Sequence, residues 1–242
     1  MTITTPTTRR ALAAVAAFAV AGVALTGCVR LPSAAPLVTT EHEVSDEVHA
    51  LRLENSGDVV VKLGDEPGLT VRAPESVVDR LTVEEQDGTL VLGIDGASLG
   101  EGRIRYTLTV RSFDELELEG AGDVRADFSA ADTVRIRVDG SGDVRADDVD
   151  ADEVSVEIEG SGDVRLDGRA ADADYRVQGS GDIDAHELRL VDAVAEVGGS
   201  GDIALFATGS VRARIGGSGD IRVSGGASVT SEVSGSGDVI QL

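Results

Sequence analysis

Seven aspartates stand at near-even intervals in the second half of this chain: Asp123, Asp143, Asp163, Asp182, Asp202, Asp220 and Asp238. Each closes a Gly-Ala-Gly-Asp or Gly-Ser-Gly-Asp tetrapeptide, starting at Gly120, Gly140, Gly160, Gly179, Gly199, Gly217 and Gly235. A carboxylate repeated in this way suits calcium, a hard cation that gathers about six to eight oxygen ligands. The pattern departs from the calcium-binding nonapeptide of β-rolls, because glycine and aspartate are adjacent and the motif comes once per repeat. Each tetrapeptide then offers one carboxylate, short of a filled shell. The other chemistry is structural: a tight corner in which glycine takes positive φ while Ser and Asp hydrogen-bond nearby amides. The residues favour the corner, with calcium between successive corners as the alternative and no other cofactor expected.

The spacings between tetrapeptides are 20, 20, 19, 20, 18 and 18 residues, the period of a solenoid whose coil is one turn of chain. An eighth copy, Asn55-Ser56-Gly57-Asp58, lies 65 residues upstream of the first. Two residues before each first glycine stand Leu118, Val138, Ile158, Val177, Val197, Ile215 and Val233. Directly after each aspartate come Val124, Val144, Val164, Ile183, Ile203, Ile221 and Val239. Apolar alternation on both sides of the corner predicts β-strands with one buried face. The outward column three residues before the corner reads Glu117, Arg137, Glu157, Arg176, Glu196, Arg214, Glu232. Equivalent residues of stacked parallel coils lie about 4.8 Å apart, so this alternation predicts an inter-coil charge ladder. Its expected effect is to fix register more than to add stability, since exposed pairs contribute about 0–1 kcal/mol.

Residues 41–113 follow the pattern loosely. Strand-like runs at His49–Leu53, Val59–Leu63, Leu69–Arg72, Arg80–Glu84, Thr89–Ile94 and Ile104–Val110 predict wider coils or a small sheet capping the solenoid. Gln86-Asp87-Gly88 carries the Asp-Gly pair of a tight hairpin. At the other end, Gly235–Ile240 stops in mid-coil, and an open β edge there invites edge-to-edge self-association.

The first 27 residues read as an export signal: Arg9 and Arg10 precede an apolar run, Ala11–Leu25, too short to span a bilayer. The run ends in Leu25-Thr26-Gly27-Cys28, which resembles the lipobox of bacterial lipoproteins. That resemblance implies acylation of Cys28, cleavage before it, and a lipid bilayer as partner outside the cytoplasm. Residues 28–40, with two prolines and no periodicity, read as a tether. Removal of Arg9 and Arg10 takes the formal charge from −23 to −25, which speaks against nucleic acid as a partner. A lone cysteine excludes an internal disulfide framework.

Signatures of catalysis are weak. The least favoured alternative is a polysaccharide-active enzyme with Asp147, Asp148, Asp150 and Asp152 as general acids or metal ligands, but such an acidic run usually faces solvent, and His42, His49 and His186 are scattered. The lipobox, the strand-rich stretch RLTVEEQDGTLVLGI and the stacked GSGDV or GSGDI corners together resemble the putative auto-transporter adhesin, head GIN domain family. The resemblance implies an all-β, right-handed parallel β-helix-like solenoid of about 18–20 residues per coil, preceded by a less regular β-rich part and lying outside the cytoplasm. It implies no reaction. The expected function is that of an envelope lipoprotein with a structural or adhesive role toward an unidentified surface partner.

Overall fold

The computed structural model describes residues 36–96 and 103–242, all within one compact unit, 34–242. Cys28 and the expected signal segment lie outside the described residues. In chain order the first half contains β1 (Leu37–Glu43), β2 (Ala50–Leu53), β3 (Asp58–Leu63), β4 (Gly68–Pro74), the single turn α1 (Glu75–Val78), β5 (Leu81–Gln86), β6 (Thr89–Ile94) and β7 (Arg105–Val110). The repeats contribute β8 (Glu115–Leu118), β9 (Val124–Asp127), β10 (Thr133–Val138), β11 (Val144–Ile158), β12 (Val164–Val177), β13 (Ile183–Leu190), β14 (Asp192–Val197), β15 (Ile203–Ala207), β16 (Ser210–Ile215), β17 (Ile221–Ser224), β18 (Ser228–Val233) and β19 (Val239–Gln241).

These strands form two parallel stacks joined at the corners. The front stack, of strands that lead into a corner, runs β5–β6–β2–β8–β10–β11–β12–β14–β16–β18. The back stack, of strands that leave a corner, runs β1–β4–β7–β3–β9–β11–β12–β13–β15–β17–β19. β11 and β12 serve both stacks, because their 15 and 14 residues run from one corner through the return to the next. The return from one corner to the next is therefore strand in these two coils, the acidic run Asp147–Asp152 included.

The upstream Asn55–Asp58 corner is a coil of the stack, not a separate cap. β2 pairs in parallel with β8 (Leu51 opposite Leu116), and β3 with β9 (Val59 opposite Val124). The chain then doubles back: β6 and β7 lie on the far side of β2 and β3 before the chain crosses to β8. Antiparallel β5, β4 and β1 close that end. The Asp-Gly hairpin joins β5 to β6 with φ of 50° at Asp87 and 83° at Gly88, both positive as a type I′ turn demands. The expected tether is corrected here. Residues 37–40 are strand, because β1 finds a partner in β4, and its polar sequence LVTTEHE suits an edge open to water.

One apolar cluster runs from Val44 to Ala227. The inward columns predicted from the repeat are buried through the coil that ends at β17, including Tyr175, which is wholly enclosed. Small and branched side chains fill most of this narrow interior. Among the described residues four of the five aromatics, Tyr106, Phe113, Phe128 and Tyr175, are buried, with Phe113 and Phe128 in tilted contact at 5.0 Å between centroids, while Phe206 is half-buried.

Candidate functional site

The corners stack coil upon coil at backbone contact. An added Cβ on Gly140 would lie 1.8 Å from the Gly120 carbonyl oxygen, and one on Gly160 would lie 1.9 Å from that of Gly140. The third tetrapeptide position is as tight: Gly142 would meet Gly122 O at 2.0 Å. Positive φ occurs among the described glycines at Gly88, Gly96, Gly168, Gly225 and Gly226, none of them in a corner. The expectation that corner glycines supply a left-handed turn is thus corrected. They are needed because a methyl group would collide with the neighbouring main chain.

That proximity fixes what the aspartates do. The Asp123 carboxylate accepts a hydrogen bond from the Asp143 N–H at 3.1 Å, Asp143 from Asp163 at 3.0 Å and Asp163 from Asp182 at 2.9 Å. The series continues through Asp182, Asp202 and Asp220, whose carboxylates accept from the N–H groups of Asp202, Asp220 and Asp238 at 2.7, 2.8 and 2.9 Å. In each case the same Oδ1 atom is engaged, so the seven aspartates form one continuous ladder along the solenoid. Charge-assisted bonds to backbone N–H are of the stronger kind, about 1.5–3 kcal/mol. Main-chain bonds reinforce them, such as Val144 N–H to Asp163 O at 2.8 Å and Ser161 N–H to Gly140 O at 3.0 Å.

Partners of the second carboxylate oxygen vary. Arg222 bridges Asp202 at 2.8 Å and Asp220 at 3.1 Å. Burial opposes ionisation of Asp202, but the Asp220 N–H and Arg222 outweigh it and hold its pKa below the ordinary value. Arg125, Arg145 and Arg165, each two residues past a corner aspartate, turn to acids outside the corners. Arg125 and Arg145 both bind Asp147, Arg145 at 2.7 Å, and Arg165 reaches toward Asp184 at 3.9 Å. The acidic run is likewise engaged in structure, with Asp150 bound by Arg169 at 2.5 Å. Among the described residues, no group of three or more His, Cys, Asp or Glu side chains is arranged to hold a metal ion.

The Glu/Arg column lies on the outer face of the front stack. Glu117 stands opposite Arg137, Arg137 opposite Glu157, Glu157 opposite Arg176, and so on to Glu232. Arg52, opposite Glu117, extends it by one coil, and the pair closes at 2.5 Å. Arg137 reaches Glu157 at 2.8 Å, while Arg214 joins Glu196 at 2.7 Å and Glu232 at 3.3 Å. Three shallow hollows of about 490, 300 and 220 Å³ lie along this face, bordered by Asp174 and Arg212, by Arg176 and Glu232, and by Arg135 and Glu157.

Sequence reasoning did not single out Asn55. It is buried, and its amide donates to the Leu92 carbonyl at 3.2 Å, the Gly93 carbonyl at 3.0 Å and the Tyr106 hydroxyl at 2.9 Å. Its Oδ1 accepts from Gly57 N–H at 2.8 Å. Burial pushes the Tyr106 hydroxyl up to about 12 against the opposing effect of Asn55. The signal was legible in principle: Asn replaces the first glycine only at the corner whose outer neighbour, β6–β7, has no GSGD of its own.

A family model described as "Putative auto-transporter adhesin, head GIN domain" matches residues 48–227. A solved putative adhesin from Bacteroides fragilis NCTC 9343 is 26% identical, with a TM-score of 0.80 over 86% of this chain and 97% of that one. A putative adhesin from Parabacteroides merdae ATCC 43184 (20% identical, TM-score 0.67) covers 85% of this chain and 96% of its own. A putative lipid binding protein from Parabacteroides distasonis ATCC 8503 (23% identical, TM-score 0.65) has the same coverage, and both share the fold. No curated protein matches the chain.

Proposed function

From the premise that this chain belongs to the putative auto-transporter adhesin, head GIN domain family, we propose that it is a surface-presenting scaffold of the cell envelope, anchored through acylated Cys28, with an adhesive role. The observation that carries this reading is the use made of the acidic side chains. The corner carboxylates are engaged in holding coil to coil, which suits a rigid presenting body more than a metal site or a catalytic dyad. Among the described residues no helix is long and apolar enough to cross a membrane, so a lipid anchor would supply the attachment.

The test has two parts. Cells given an alkyne-tagged fatty acid should label the wild-type chain and not Cys28→Ser, which should be released from the membrane fraction. Cells lacking the protein should attach less to one another or to a surface, with attachment restored by the wild type and not by Cys28→Ser. An unlabelled, membrane-free wild type would remove the anchor, and unchanged attachment without the protein would remove the adhesive role.

A further inference from the structure

The two ends of the stack are unlike. At the β1 end, the edge strands β5 (LTVEEQ) and β1 (LVTTEHE) each carry two glutamates, a device that keeps a β edge from pairing. At the other end, β18 (SVTSEV) and β19 (VIQ) are paired within the chain on one side only, to β16 and β17. β18 occupies the same columns as β16, whose alternate residues are buried, yet five of its six residues are exposed. Val233 is 46% exposed although its column is buried in every other repeat, and Ile240 and Leu242 are 37% and 78% exposed. This edge has no proline and no lysine, and residues 225–242 hold two acids and no base. In a molecule this acidic, it is the surface that two copies bring together against least repulsion.

We propose that this end pairs with the same end of a second copy, β18 against β18 in antiparallel register across a two-fold axis. Pairing to the opposite end of a second copy would set β18, with Glu232, against the glutamates of β5 or β1. An isologous contact also closes on itself and does not propagate into a fibre. The pleat selects the register. Inward side chains must face inward on both strands, so the two residue numbers in each pair sum to an even value. Centring on Ser231 sets Val229 of each copy against Val233 of the other and Glu232 against Thr230. Centring two residues' sum later sets Ser231 against Val233 and Glu232 against itself. Ser231 is therefore its own partner, and its small side chain leaves room on the axis. The back stack has eleven strands, so each molecule extends about 50 Å from this contact to β1. Resting on the adhesive reading, the pair would link two membranes, with the anchored ends farthest apart.

One coil end is a small contact, so association should need concentrations in the micromolar range or above, about 10–100 µM. Sedimentation velocity of residues 34–242, the compact unit, should show monomer passing to dimer as concentration rises. Val233→Lys should stay monomeric with its melting temperature unchanged. Ser231→Cys, the only cysteine in that span, should form a covalent dimer on oxidation, because facing antiparallel Cα atoms lie about 4.5–5.5 Å apart, within disulfide reach. A monomer at every concentration, a dimer that survives Val233→Lys, or a Ser231→Cys variant that does not cross-link would each overturn the pairing. Phosphatidylcholine vesicles carrying the acylated chain separate the two readings. A solution dimer without vesicle clustering supports the pairing and sinks the adhesive link between membranes.

Discussion

At the scale of single residues, the corners turn on steric contact between main chains and on one carboxylate oxygen. Neighbouring glycines make the first point testable. A Cβ on Gly198 would come no closer than 3.9 Å to the Val177 carbonyl, whereas one on Gly199 would lie 1.9 Å from the Gly179 carbonyl. Gly199→Ala should therefore lower stability by about 3 kcal/mol or more, and Gly198→Ala by less than about 1, as read by denaturant unfolding. Equal effects would mean that the corners are not packed as described. The Asp202–Arg222 pair gives a pH dependence. The folded pKa of Asp202 lies below its ordinary 3.8, so its contribution is whole above about pH 4 and lost as pH falls through the folded value. Arg222→Ala should accordingly be less stable than wild type at pH 6, with the gap narrowing below pH 4. A gap that holds steady down to pH 2 would contradict the pairing. Which residues sat at corners was legible in the sequence. How glycine served there was not, because a period shows that a position resists a side chain without showing what the side chain would strike.

At the scale of elements, register is set by alternation on both faces of the front stack. Arg137 lies between Glu117 and Glu157 and also contacts Asp139 and Glu159, at 3.1 and 2.8 Å. Arg137→Glu would place five acids on neighbouring positions. It should cost about 1 kcal/mol or somewhat more at low salt, this arginine being 40% exposed, and added sodium chloride should recover part of the loss. Thermal melts at two salt concentrations check this, and a loss unchanged by salt would point to packing as the cause. Strands β2 to β7 were readable from local apolar runs and from Asp87-Gly88. Their order in the stack was not, because no motif marks Thr89–Ile94 and Arg105–Val110 as a coil beyond Asn55–Asp58. Only pairing in space reveals that the chain lays one coil outside the previous one before moving on. β1 escaped notice for a related reason: an edge strand that faces water on most of its length shows no apolar alternation.

At the scale of the whole molecule, a single core, one continuous aspartate ladder and a column of alternating Glu and Arg make a stack whose coils depend on their neighbours. The same regularity that leaves the fold legible in the sequence leaves its partner illegible, since the outward column only alternates Glu and Arg from Glu117 to Glu232. The central claim is that the GSGD aspartates are rungs between coils, and Asp182 sits mid-stack, accepting from the Asp202 N–H at 2.7 Å. The decisive measurement is the thermal midpoint of residues 34–242 as wild type, Asp182→Asn and Asp182→Ala, each with chelator and with millimolar calcium. Asparagine keeps an oxygen in the Oδ1 place and should lose at most about 1 kcal/mol, while alanine strands a backbone N–H and should lose about 1.5–3 kcal/mol. At about 2–4 °C per kcal/mol the alanine variant melts roughly 3–12 °C lower, and calcium leaves all three midpoints unmoved. A wild-type midpoint that climbs with calcium, together with an asparagine variant as damaged as the alanine one, would contradict the account, because a metal site at 100 times its dissociation constant adds about 2.7 kcal/mol and needs the charge that asparagine lacks.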